Sequence, residues 1–428
     1  MAIQLEIPGQ LIQKTNKSLP YFWAGFIIYT VTYALAFPSV NYLKVYVFMQ
    51  LLGLTLLVAA SFGVLRLDVR NIYLRLLYIS LCVWFLYTIK RGLPTNTTGI
   101  INMIVDANSG VLLYFAPLAL LLPREVPFYK KLFDVIAILG VFYLLLDAYY
   151  IRDLLNPDHS SGKSQAAVES LSQYLSFPAG FLLFTLNYHT KKRRFFALAI
   201  MMLSILFAVI RARRGLISMF GVSAIFAFIL YLLTTKRKFI IVPLMAVLVF
   251  LLVGFVQQAF SEKSKLFGFL AERGTEDTRT PVEECFYDDM GRKDWIVGRG
   301  MNGEYFCPIV EEDADIKGYR AAIETGYLQI ILDGGIVSLA LILLIAVPAM
   351  ICGIFFSKNV LSKAAGFWIL LWVLSLYPAN VATFSLNYFL VWISIGICYS
   401  KTIRKMPEEI VRKAFNLKNG SDLSYVPS

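Results

Sequence analysis

Lys191 to Lys238 reads KKRRFFALAIMMLSILFAVIRARRGLISMFGVSAIFAFILYLLTTKRK: two apolar runs, basic clusters at both outer ends, and three arginines at the junction between them. Each run is long enough to cross a hydrocarbon layer of about 30 Å as a helix. Neither shows the period-2 alternation of a barrel strand, so the stretch is a helical hairpin. Lys191, Lys192, Arg193 and Arg194 at one end and Lys236, Arg237 and Lys238 at the other are expected on the cytoplasmic side. Arg211, Arg213 and Arg214 then fall on the opposite side, where positive charge has no topological role.

The same grammar runs through the whole chain. Of 428 residues, 58% are hydrophobic and 16% charged, and the mean hydropathy is +0.66. A soluble domain of this length carries more polar surface. Spans are predicted at 20–37, 43–65, 72–90, 109–123, 131–151, 173–188, 195–210, 215–233, 239–257, 335–356, 364–377 and 387–400, the fourth, eleventh and twelfth being short. The expected fold class is therefore all-α: a polytopic membrane protein with about 12 transmembrane helices and one large periplasmic or extracellular loop. The polar N-terminus lacks the charged region and cleavage site of a signal peptide, so the first apolar run is expected to be a retained span.

Further basic clusters, Arg66/Arg70/Arg75, Arg124/Lys130/Lys131 and Lys358/Lys363, occupy alternate connections, and Lys401, Arg404 and Lys405 follow the last span. Both termini are expected in the cytoplasm. The formal charge of +12 is thus spent on topology, and nucleic-acid binding is excluded because no basic stripe is interleaved with exposed aromatics. Neither repeated halves nor an inverted pair of broken helices is evident, which argues against a secondary transporter. The expected organisation is a membrane bundle over 1–257, a large external loop over 258–322, a second bundle over 323–400, and a cytoplasmic tail over 401–428.

The external loop holds 14 acids against nine bases. Cys285 and Cys307 both lie in it and are a disulfide candidate on an oxidising face, worth roughly 3 kcal/mol to the loop if closed; two unpaired thiols are the alternative. Cys82, Cys352 and Cys398 lie in apolar spans as small hydrophobes. With two histidines in the chain, no metal-ligand spacing is found and no cofactor is expected. Asp68, Asp134 and Asp147, near span ends, are expected to be solvated or helix-capping.

Two places carry charge that topology does not explain. At the 211–214 junction, guanidinium groups suit a pyrophosphate headgroup because they bind phosphate bidentately and stay charged; snorkelling to lipid phosphates is the plainer reading. The second is IKGYRAAIETGYLQIILDGGIVSLALILL from Ile316, in which Arg320, Glu324, Tyr327, Gln329 and Asp333 read as one helix leading out of the loop. A carboxylate beside an arginine there suits proton acceptance from a sugar hydroxyl, against a plain helix cap or an ion pair with Arg320. Gly298, Gly300 and Gly303 lack a strand–helix context and read as loop geometry rather than a dinucleotide fingerprint.

In order and spacing, these segments resemble the O-antigen polymerase and O-antigen ligase superfamily. The resemblance rests on Arg213-Arg214-Gly215; on Arg279, Trp295 and Gly298-Arg299-Gly300; and on Glu324-Thr325-Gly326-Tyr327-Leu328 followed by Asp333-Gly334-Gly335-Ile336, over roughly residues 205–350. Glu324 stands where family ligases have histidine, which favours a polymerase. The resemblance implies a GT-C-like membrane glycosyltransferase in the bacterial inner membrane. It implies an undecaprenyl-diphosphate-linked oligosaccharide as donor, metal-independent transfer, and chain-length regulator and flippase proteins as pathway partners. Glu324, Arg214 and Arg279 are then the expected catalytic residues, with Arg211, Arg213, Arg320, Tyr327 and Gln329 binding substrate. A ligase, and a transporter or flippase of lipid-linked sugars, are the alternatives.

Overall fold

The structure, a computed structural model, describes residues 17–36, 43–67, 69–94, 96–155, 162–235, 279–308 and 318–416. The first half contains α1 (Leu19–Ala36), α2 (Leu43–Val64), α3 (Ile72–Arg91), α4 (Thr97–Val105), α5 (Leu112–Leu121), α6 (Val126–Tyr149), α7 (Ile151–Leu155), α8 (Gly162–Leu171), α9 (Ala179–Phe184), α10 (Lys191–Ile210) and α11 (Arg214–Thr234). Then follow α12 (Thr280–Asp289), α13 (Arg292–Val297), α14 (Gly326–Phe355), α15 (Val360–Ser375), α16 (Leu386–Tyr399), α17 (Lys401–Lys405) and α18 (Glu408–Asn416). Seven of these, α1, α2, α3, α6, α10, α11 and α14, are long and apolar enough to cross a membrane, while α5, α15 and α16 are shorter apolar helices. The protein is a helical multi-pass membrane protein. The predicted span at 239–257 lies outside the described residues.

Polar side chains mark where the helices begin. Asn71 accepts from the Leu74 amide (3.1 Å) to start α3, Thr190 from that of Arg193 (3.4 Å) to start α10, and Asn359 from that of Ser362 (2.9 Å) to start α15. Such caps satisfy amides that the first helical turn leaves open. α1 and α2 form a close hairpin, because Gly25 lets the Gly53 carbonyl approach where a Cβ would stand 2.6 Å away, the small-residue contact favoured between membrane helices.

The described connections sort onto two ends. At one end Arg66 pairs with Glu125, Arg193 with Asp134 (2.5 Å), Tyr188 with Glu408 (2.9 Å), and the Lys358 amide with the Arg404 carbonyl (2.8 Å). These are the connections that carry the basic clusters. At the other end Arg91 reaches the Gly298 carbonyl (2.7 Å), Phe384 N that of Ala107 (2.7 Å), and Gln173 that of Asn380 (3.2 Å). Arg91 belongs to no topological cluster, and this contact is its structural reason.

Three expectations are corrected. The sixth predicted span, 173–188, is not one helix: a π turn over Ser172–Ser176 leads into the six residues of α9 and a 3-10 turn at Leu186–Tyr188. Pro178 has no amide hydrogen to continue a helical ladder there. Asp147 is buried rather than solvated, and its Oδ2 has no hydrogen-bond partner. The stretch from Arg320 to Asp333 is not one helix either. Arg320 pairs opposite Tyr305 in a two-stranded antiparallel ribbon, β1 (Tyr305–Phe306) with β2 (Tyr319–Arg320), and helix begins only at Gly326.

The described part of the loop has a core of its own. Val282, Phe286, Met290, Tyr305, Cys307 and Ile323 pack with Leu328, Ile331 and Leu332 of α14. Cys285 and Cys307 are joined there, with Cα atoms 5.2 Å apart. The unit is locked to the bundle where α14 breaks at Gly335 (φ 71°). A Cβ on Gly335 would lie 2.0 Å from the Ile296 carbonyl oxygen, and one on Gly298 (φ 70°) would lie 2.5 Å from the Asp333 carbonyl carbon. Only glycine permits both the positive φ and this backbone contact. Across it Arg299 N donates to Leu332 O (2.6 Å) and Gly300 N to Asp333 O (2.8 Å).

Candidate functional site

The site is assembled by the end of α10, the first turn of α12, the segment before α14, and the turn between α15 and α16. α10 closes with Arg213 N donating to Ala208 O (2.9 Å) and Ala212 N to Val209 O (3.1 Å). This pattern places the residue after the cap in the left-handed region, normally as glycine. Here it is Ala212, with φ 50°, at a cost of about 1 kcal/mol. Strain of this kind gathers where the surroundings fix a functional turn. α11 starts at once with Arg214, so the three arginines leave the turn in different directions.

Their fates diverge. Arg211 is buried at 1% exposure and donates to the Asp153 carbonyl, anchoring α7. Arg213 pairs with Glu169 of α8 at 3.3 Å. Arg214 is exposed, and its neighbour Gly215 lies against the site: a Cβ there would be 3.0 Å from the Pro378 carbonyl oxygen and 3.9 Å from Arg279 Nη2.

Arg279 is the hub. Its Nη2 donates to Pro378 O (2.7 Å) and its Nε to Glu324 Oε2 (3.2 Å). One turn along α12, the Glu283 carboxylate accepts from the Thr325 hydroxyl, so that α12 grips residues 324 and 325 twice. Pro281 suits the first turn of this helix, where its missing amide hydrogen is not needed. The turn after α15 is fixed from the other side by Tyr327 N donating to Leu376 O (3.2 Å). The carboxylate of Glu324 remains two-thirds exposed, at 66%, against 31% for the Arg279 side chain. Glu324 thus pairs with Arg279, where the plainer reading of the sequence had paired it with Arg320.

Beside this pair runs an aromatic surface. Tyr287 and Trp295 stack with centroids 5.9 Å apart and planes 10° from parallel, and the Tyr287 and Tyr327 hydroxyls lie 3.5 Å apart. Tyr287 and, in the turn beneath Tyr327, Tyr377 are both exposed.

Of the residues predicted to bind substrate, Gln329 supports the site from within, and Arg299 of the glycine-x-glycine segment, not among them, does the same. Gln329 is buried, with Nε2 on Asp333 Oδ1 (3.1 Å) and Ala321 O (3.3 Å) and Oε1 accepting from Ile323 N (2.8 Å). Arg299 binds the Asp289 and Asp294 carboxylates and two carbonyls. Its partial burial opposes the charge, but these acids outweigh it and hold its pKa above the usual value. Burial pushes the Tyr305 phenol up to about 12, with Arg320 pulling it back and Glu324 adding to it.

The structure brings Arg279 to Glu324 and the Arg214-Gly215 junction up to Arg279, and it adds the Pro378 carbonyl, Glu283 and Tyr287, which the sequence reading did not single out. Glu283 and Tyr287 are four residues apart on one helix after Thr280-Pro281, a pattern that announces a shared face. Nothing local announces Pro378, which matters only through its carbonyl. Comparison with known proteins leaves the site to be read from its own geometry: no family model matches the chain, nor does any curated protein or solved structure.

Proposed function

We propose that this protein is a polysaccharide repeat-unit polymerase, joining undecaprenyl-diphosphate-linked oligosaccharides at the outer face of a bacterial plasma membrane. It crosses that membrane twelve times, with both termini in the cytoplasm. The observation that carries the reading is the Arg279–Glu324 pair (3.2 Å) beside the Arg214-Gly215 junction, at the end of the bundle opposite the basic clusters. This is a cation set for a leaving pyrophosphate next to an accessible carboxylate.

In the proposed reaction, Arg214 and Arg279 hold the pyrophosphate and stabilise the charge that grows as it departs. Arg279 leaves Glu324 for the incoming phosphates, which frees the carboxylate to take the proton of the acceptor hydroxyl. The hydroxyl oxygen bonds to the anomeric carbon as the bond to the phosphate oxygen breaks. A single attack from the face opposite the leaving group inverts that centre. Tyr287, Trp295 and Tyr327 offer flat, amphipathic surfaces for sugar rings. The disulfide-closed loop keeps water from the donor.

The test is the size distribution of surface glycan in the native host after deletion of this gene. A ladder reduced to one repeat on its acceptor supports polymerisation. Finished polymer accumulating on the polyprenyl carrier overturns it in favour of a ligase, with Glu324 in the role of the ligase histidine.

A further inference from the structure

At the basic end, three connections distant in sequence enclose a cavity of about 520 Å³. Arg66, Arg70 and Asn71 enter it from between α2 and α3, Arg124 and Glu125 from between α5 and α6, and Lys401 from α17. Among the described residues, four basic side chains share the cavity with one lining acid. Glu125 is buried and accepts from Arg66, and Arg124 Nη2 donates to Leu120 O (3.3 Å), which holds both guanidinium groups in the wall. Asp68, in the same stretch as Arg66 and Arg70, lies outside the described residues.

The walls are fixed before any ligand arrives. Arg66 N donates to Leu121 O (2.9 Å), joining two of the connections, and Arg124 lies against α16, with Nε 3.3 Å from where a Gly396 Cβ would stand. The N-terminus of α3, capped by Asn71, opens on the same space and adds its positive dipole. A pre-formed pocket of this size, with three guanidinium groups and a lysine on its walls, favours an anion over a cation or a neutral group. Guanidinium groups match the oxygens of a phosphate in particular. Basic pockets between membrane helices are where phosphorylated headgroups bind.

We infer that this cavity is a phosphate-binding site, filled by an anionic lipid headgroup or by a soluble phosphate compound, and separate from the site around Arg279. Occupancy ties the α2–α3, α5–α6 and α16–α17 connections together, so the readout is stability as well as binding. The inference does not depend on the proposed enzymatic activity.

Thermal unfolding of the full chain in neutral detergent tests it, with phosphatidylglycerol, phosphatidylcholine or inorganic phosphate titrated in. The expected result is a saturable rise in Tm with phosphatidylglycerol, with inorganic phosphate, or with both, but not with phosphatidylcholine. A rise with phosphatidylglycerol alone assigns the site to lipid, and a rise with inorganic phosphate extends it to soluble ligands. The variant R70Q/K401Q, altered at two exposed positions, should need about tenfold or more ligand for the same rise. K191Q/K192Q, at the same end but outside the cavity, should behave as wild type. No saturable rise with either probe overturns the inference. So does an undiminished rise in R70Q/K401Q, or an equal loss in K191Q/K192Q.

Discussion

The two ends of the bundle carry arginine in different ways. At the basic end Arg66 meets the Glu125 carboxylate and Arg193 that of Asp134 within α6, while Arg194 and Arg404 each donate to one carbonyl, His189 O (2.9 Å) and Phe356 O (3.3 Å). At the opposite end Arg91 holds two carbonyls, Val297 O (2.9 Å) and Gly298 O (2.7 Å), while Arg279 spans a carbonyl and a carboxylate, and Arg299 gathers two acids and two carbonyls. The first arrangement needs charge and little geometry, as befits residues that set orientation in a membrane. The second uses the planar, multiple-donor shape of guanidinium to hold irregular backbone, which a lysine would not reproduce. Arginine at the second end builds form as well as potential. Among the described ion pairs, that of Arg279 holds the most exposed carboxylate, Glu324 at 66% against 45% for Asp134 at the basic end.

The comparison breaks most severely if the Gly335 joint tolerates a side chain. Gly335→Ala is expected to cost about 4 kcal/mol or more, because a Cβ would lie 2.0 Å from the Ile296 carbonyl oxygen in a backbone conformation with φ 71°. The expected outcome is loss of folded protein on detergent extraction, and a variant with wild-type Tm would disprove the interlock. Next in size are Arg214→Ala and Arg279→Ala, each expected to lower the polymerisation rate by about 10²–10³-fold, the range for a lost transition-state donor. Arg279→Ala should also lower Tm, since it releases Pro378. Normal turnover in Arg214→Ala would remove the pyrophosphate role.

Glu324→Gln comes third, with a loss of about 10²-fold in rate and an unchanged Tm, because the side chain is two-thirds exposed. Wild-type turnover there would leave Glu324 as nothing more than the partner of Arg279. The smallest effect belongs to the basic end. Arg193→Gln breaks its pair with Asp134, both partly exposed, and is expected to cost about 0.5 kcal/mol with an unaltered glycan ladder. A collapsed ladder in that variant would erase the distinction between the two ends.

The helical, membrane-spanning character of the chain, the positions of its long apolar helices and the segregation of its basic connections were legible along the sequence. Hydrophobic length and charge placement act locally, within one helix and its flanks, so a linear reading captures them. The same reading failed at 173–188, where a proline and a π turn interrupt an apolar run, and at 320–333, where apolar and polar residues at helical spacing belong to a ribbon, a turn and a helix. It also placed Arg211 and Arg213 at the substrate beside Arg214, giving the catalytic role to Arg214 alone of the three. Tertiary structure alone buried Arg211 on Asp153, gave Arg213 to Glu169, left Arg214 beside the site, and brought Arg279 to Glu324, 45 residues away. The physical reason is that an arginine's partners are chosen by which carbonyls and carboxylates the packed backbone brings within reach. That choice depends on contacts such as Pro378 O, which no side chain announces.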